Sequence, residues 1–107
     1  MTTLRLHPEF LPALIEGRKT TTVRAGWRDL PPGPGVVEAG RQSIEVLVTG
    51  VRHCRYADLT LEDARRDGFE SLEQLRSALR RFYPKLSDSS AVSVIGLKLL
   101  PQREHHR

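Results

Sequence analysis

Polar and apolar positions alternate over residues 3–6 (Thr-Leu-Arg-Leu), which predicts a short opening strand. The period then changes. Phe10, Leu11, Leu14 and Ile15 recur at helical spacing, behind Pro8 and Glu9 and ahead of Gly17. Proline suits a first helical turn, a glutamate complements the positive end of the helix dipole, and glycine is a common stop, so a helix is predicted between residues 8 and 17. Pro12 costs little within the first turn and bends the helix anywhere later. Residues 20–24 read as a second strand. Residues 25–42 hold Gly26, Pro31, Pro32, Gly33, Pro34, Gly35 and Gly40 and are predicted to be a long irregular loop, with Gly33-Pro34-Gly35 as loop punctuation.

Residues 43–52 form the clearest strand pattern. Ile44, Val46 and Val48 share one face and Glu45, Leu47 and Thr49 the other, so partial apolarity on both sides predicts an interior strand or a barrel wall. Thr60 and Asp63 form a capping box that opens a short helix ending at Gly68. Ser71 and Gln74 form a second box, opening a helix with Leu72, Leu75, Leu79 and Phe82 on one face and Pro84 as its end. Residues 91–99 are a last strand interrupted by Gly96, where a bulge or sharp bend is expected.

Strands separated by helices at both ends of the chain, with a bent final strand, predict an α+β fold built on a small, curved, partly closed sheet. The 107 residues suffice for one domain with a real core, assigned to residues 1–100, with 101–107 as a flexible tail. The single cysteine, Cys54, cannot form an internal disulfide and behaves as a small hydrophobe, which fits a reducing, cytoplasmic setting. No run of 18 apolar residues is present and the N-terminus lacks a signal-peptide pattern, so no membrane association is expected.

Charge alters this picture. The net charge is +4, and arginine carries nearly all of it, since only Lys19, Lys85 and Lys98 of the 17 basic residues are lysine. A basic domain suits an anionic partner such as RNA or a phosphorylated small molecule, and arginine's planar fork can clasp phosphate or stack on a base. A GC-rich genome produces the same arginine bias without any function. Trp27, the only tryptophan, either stacks on a base or pins the 25–42 loop to the core; pinning is favoured because tryptophan is usually well buried. His7, His53, His105 and His106 lack metal-ligand spacing, and no phosphate-binding glycine motif is present, so neither a metal nor a cofactor is expected.

The densest chemistry lies in Gly17-Arg18-Lys19-Thr20-Thr21-Thr22-Val23-Arg24, at the predicted helix-to-strand junction. A threonine hydroxyl becomes a nucleophile only when a base removes its proton, and a lysine whose pKa is lowered by burial or by neighbouring cations can be that base. Strand material with a solvated lysine is the plainer reading. Strand parity puts Thr22 and Arg24 on one face and Lys19 on the other, so Lys19 reaches Thr22's face only from a turn before the strand. Asp58, Asp63, Asp67 and Glu70 are the candidate orienting carboxylates.

These eight residues resemble the G-x-K-x-x-T-x-R signature of ASCH (activating signal cointegrator homology) domains, within the PUA-like superfamily. The resemblance continues through Trp27-Arg28-Asp29, Cys54 to Ala64, Asp67 to Leu72, and Phe82-Tyr83-Pro84. It implies a small mixed barrel-like sheet with flanking helices and a cleft beside the signature. It also implies RNA-related work: RNA or nucleotide binding, removal of acetyl groups from N4-acetylcytidine, or RNA cleavage. The proposed lysine, threonine and glutamate of the amidohydrolase relatives map onto Lys19, Thr22 and Asp67. Asp67 is one methylene shorter than glutamate, so its reach decides whether it can orient the lysine. Arg18, Arg24, Trp27, Arg28 and Arg55 are the candidate contacts to RNA or a modified nucleoside. Binding without chemistry is placed first, because the shortened carboxylate weakens the enzyme reading, and the oligomeric state is left open between monomer and dimer.

Overall fold

Strands β1 (Thr2–Arg5), β2 (Thr21–Ala25), β3 (Gly33–Ala39), β4 (Gln42–Arg55) and β5 (Ala91–Leu99) form one curled sheet in the order β1-β3-β4-β5-β2. β1 runs parallel to β3 and every other neighbour is antiparallel. Among the described residues three short α-helices flank the sheet: α1 (Leu11–Ile15), α2 (Leu61–Arg66) and α3 (Leu72–Phe82). The architecture is an α+β half-barrel with β1 and β2 as its two edges. The computed structural model describes residues 1–102. The His105–His106 pair and the rest of the predicted tail beyond Gln102 lie outside the described residues. Among the described residues no helix is long and apolar enough to cross a membrane.

Alternation along β5 builds the core on both faces of the sheet. Ile95 and Leu97 join Leu4, Leu14, Val37, Val46 and Val48 on the α1 side. Val92 and Val94 join Val23, Tyr56, Leu75 and Leu79 beneath α2 and α3. β4 lies inside the sheet, as its two-sided apolar pattern predicts. Its register against β5 shifts between Val48 and Gly50, opposite Gly96, where an added Cβ would collide with the Thr49 hydroxyl. The expected bulge is therefore on β4, and Gly96 makes room for it.

Several expectations need correction. The 25–42 segment is not one long loop, because Gly33–Ala39 is β3, paired along its whole length with β4. Gly35 serves close approach instead of punctuation: a Cβ there would stand 3.0 Å from the Thr2 carbonyl of β1. The first helix is split into a 3-10 turn (Pro8–Phe10) and α1, with Pro12 in the first turn of α1, where it costs little. Of the two capping boxes only Thr60–Asp63 is reciprocal; at Ser71 the hydroxyl accepts from Gln74 N, while the Gln74 side chain turns to Glu70 N.

Trp27 is not pinned in the core. It is 67% exposed and stacks on His53, with ring centroids 3.6 Å apart and planes 6° apart. The turn that carries it is held from below by Ser93, which is fully buried. The Ser93 hydroxyl donates to Gly26 O at 2.7 Å and accepts from Arg28 N at 2.8 Å. Ser93→Ala leaves both main-chain groups without that partner. It is expected to lower stability by about 1–3 kcal/mol, read as a lower Tm, and to change the emission of Trp27 as the stack loosens. An unchanged emission spectrum would show that Ser93 does not set the position of Trp27.

Candidate functional site

The junction between α1 and β2 brings Lys19 inward. Gly17 takes φ +82°, a left-handed conformation that glycine adopts without strain, and so ends α1. Ala13 O then accepts from both Arg18 N and Lys19 N at 3.0 Å. Lys19 pairs as an isolated antiparallel bridge with Asp67, at the C-terminal end of α2, before β2 begins at Thr21. Lys19 therefore stands in the turn ahead of the strand, where strand parity no longer separates it from Thr22. Gly68, at φ +91°, lets the chain pass close by: a Cβ there would lie 3.4 Å from Lys19 Cβ and 3.3 Å from Ala13 Cβ.

Lys19 and Asp67 are only 4% and 5% exposed, and Lys19 Nζ donates to Asp67 Oδ1 in a short ion pair. Burial pushes the Lys19 ammonium from its usual 10.5 down to about 7, and the positive charge of Arg24 acts in the same direction. Asp67 opposes them by favouring the charged form. Lowered to about 7, the amine exchanges its proton near neutral pH. The Phe10 ring lies 5.7 Å from Nζ and closes one side.

Lys19, Thr22, Arg24 and Asp67 line one cavity of about 420 Å³, set in the seam between the two edges of the half-barrel. β1 and its following turn contribute Arg5, Leu6 and His7, and α3 contributes Leu75, Leu79 and Phe82. Thr22 is buried, at 4% exposure. Burial pushes the Arg24 guanidinium pKa down; its hydrogen bond to Tyr83 pulls the other way and the charge of Arg28 adds to the fall. Arg24 Nε is buried without a hydrogen-bond partner.

β2 adds main-chain groups. Leu97 N donates to Thr20 O and Gly26 N to Ala91 O, both at 2.8 Å, so the even-numbered residues of β2 face β5. Antiparallel alternation then turns the N–H and C=O of Val23, a cavity-lining residue, toward the seam. An aromatic cluster borders the cavity: Phe10 meets Phe69 and Phe82 edge-on at 5.8 and 6.1 Å, and His7 lies 5.9 Å from Phe82.

The structure thus gathers Lys19, Thr22, Asp67 and Arg24. It puts the other four candidates elsewhere: Arg18 is paired with Glu16, Arg55 with Asp58, and Trp27 and Arg28 belong to the turn over Ser93. Of the other carboxylates considered, Asp58 holds Arg55 and Asp63 holds Thr60 and Arg52. Burial pushes the half-buried Cys54 thiol up, the inert direction for a nucleophile. Sequence reasoning gave no site role to Phe10, Phe69, Phe82 or Tyr83. Phe69, Phe82 and Tyr83 fall in the resemblance, but only the fold shows that they face Lys19's cavity.

No protein-family model matches the chain, and no curated protein matches it in sequence. Solved structures do match. An ASCH domain from Lactobacillus crispatus superposes with a TM-score of 0.75 at 13% identity, over 92% of this chain and 79% of that one. A protein from Enterococcus faecalis gives 0.76 at 13% identity, over 100% and 86%. ASCH from Zymomonas mobilis gives 0.65 at 20% identity, over 90% and 65%. The fold is therefore that of ASCH domains.

Proposed function

We propose that the cavity binds the base of a modified RNA nucleoside and hydrolyses an acyl amide on it, N4-acetylcytidine being the model substrate. One observation carries this reading: a buried lysine with its pKa near 7, bonded to a buried aspartate, in the same cavity as a buried threonine. A structural ion pair does not need that cavity, and a perturbed amine in a concave site is a recurrent mark of proton-transfer chemistry.

In this reading neutral Lys19 accepts the proton of Thr22 Oγ1 as the oxygen bonds to the acetyl carbonyl carbon. The carbonyl π electrons move to oxygen, and the free Arg24 Nε–H donates to that oxyanion. Lys19 then gives the proton to the departing cytidine N4 as the C–N bond breaks, leaving an acetyl ester on Thr22. Water, losing a proton to Lys19, cleaves the ester; acetate leaves and Thr22 regains its hydrogen. Asp67 is a positioning residue that holds the Lys19 amine. The Val23 main-chain donor and acceptor suit the hydrogen-bonding edge of a pyrimidine, and the Phe10–Phe69–Phe82 cluster suits its faces.

Release of cytidine from N4-acetylcytidine by the purified protein tests the proposal. No release, or turnover undiminished in Lys19→Ala, overturns it. The second reading is binding of the same nucleotide without chemistry, favoured by the unpartnered Arg24 Nε and the net charge of +4. It predicts saturable, salt-sensitive binding with no product.

A further inference from the structure

The Trp27 turn is unexplained by the cavity. An exposed tryptophan contributes little to a core, yet this one is held firmly. Its indole lies flat on the His53 ring. Ser93 anchors the main chain on both sides of it, and His53 Nε2 lies 2.7 Å from Arg28 O. One indole face is covered by His53, and 67% exposure leaves the other open to solvent. Such a surface is already ordered, so a flat partner that stacks on it loses little freedom in doing so.

Its place in the sheet relates it to the cavity. Arg24, Ser93 and His53 are register partners across β2, β5 and β4, and residues paired this way project from the same face. Arg24 lines the cavity. The Trp27–His53 stack therefore stands two strand spacings from Arg24, roughly 10 Å. Arg28, whose N meets Ser93 and whose O lies by His53, sits between them; it is exposed, its Nε is bonded to Ala25 O, and its charge acts on Arg24. The order along this face is cavity, arginine, open aromatic plane. Base, phosphate and next base follow one another in the same order along a single strand.

We propose that Trp27 is a stacking platform for an RNA base adjacent to the nucleotide held in the cavity, with Arg28 meeting the intervening phosphate. The preferred ligand is then single-stranded RNA instead of a free nucleoside, because only an unpaired strand can offer one base to a cavity and a neighbour to an exposed indole. This inference rests on the nucleotide-binding reading of the cavity and adds the strand that reaches beyond it.

The single tryptophan supplies the measurement. Titration with an eight-nucleotide oligocytidylate at low salt is expected to quench Trp27 emission and to show affinity at least about tenfold above that of cytidine monophosphate. Trp27→Ala is expected to lower affinity for the octamer about tenfold, and Trp27→Phe to restore most of it. Octamer binding without quenching and with Trp27→Ala unimpaired overturns the platform. So does an octamer bound no better than the mononucleotide; if N4-acetylcytidine is still hydrolysed in that case, the cavity reading stands while this one falls. Failure of octamer, mononucleotide and N4-acetylcytidine alike overturns both.

Discussion

Replacing Lys19 with methionine is expected to cost about 3–5 kcal/mol of stability, a large part of the roughly 5–15 kcal/mol that holds a domain together. The cost comes from what remains: a carboxyl group at 5% exposure with its partner gone. Asp67→Leu is expected to cost less, because Lys19 already yields its proton near pH 7 and can become neutral cheaply. The double variant Lys19→Met/Asp67→Leu should recover most or all of the loss, since two apolar side chains of similar volume need no partner and carry no desolvation cost on burial. Denaturant unfolding of the four proteins measures this, and single costs that merely add in the double variant would refute the coupling. The pH dependence has a definite sign. Between about 7 and 10.5 the unfolded chain holds a proton on this amine that the folded chain has released. The group therefore adds stability as pH rises through that window, and Lys19→Met loses the slope.

Hydrolysis of N4-acetylcytidine is expected to rise with pH through about 7 and then level off, because the neutral Lys19 amine is the form that accepts a proton. Lys19→Ala should lower kcat/KM by about 10²–10⁴-fold. Thr22→Val, which keeps the shape and removes the hydroxyl, should leave no acetyl-enzyme detectable by mass spectrometry. Asp67→Asn should move the midpoint of the pH profile downward, since removing the nearby anion favours the neutral amine further. A structural role for Asp67 alone would lower the rate without moving that midpoint. A rate that is flat from pH 5.5 to 8.5 in the wild type would remove Lys19 from the role of base.

Periodicity located β4 and α3 well, because both bury a regular set of positions: Ile44, Val46 and Val48 in one, Leu75 and Leu79 in the other. It failed at β3, where Gly33-Pro34-Gly35 read as a break. Gly35 is there because β1 runs against it, and a contact with a strand about 30 residues away leaves no local mark. Trp27 failed for a related reason. Its composition argues for burial, while its partner His53 lies on a strand that local pattern cannot bring near. At the site, the Lys-Thr-Arg block was visible as dense polar chemistry at a helix–strand junction. The distance between Lys19 and a carboxylate was not visible, because it depends on how the ends of α1 and α2 meet. Aspartate reaches despite its short side chain since the main chains of residues 19 and 67 are themselves bridged.

That bridge ties residues 48 positions apart, between a helix near the start of the chain and the end of another past its middle. Neither fragment can hold the amine alone: Lys19 without α2 is an ordinary solvated lysine, fully charged at neutral pH. Its lowered pKa is thus conferred only once long-range closure is complete, and long-range contacts are slow for a chain to make. In the reading proposed above, a nascent or partly unfolded copy carries the residues but not the reagent, so the fold acts as its own safety catch.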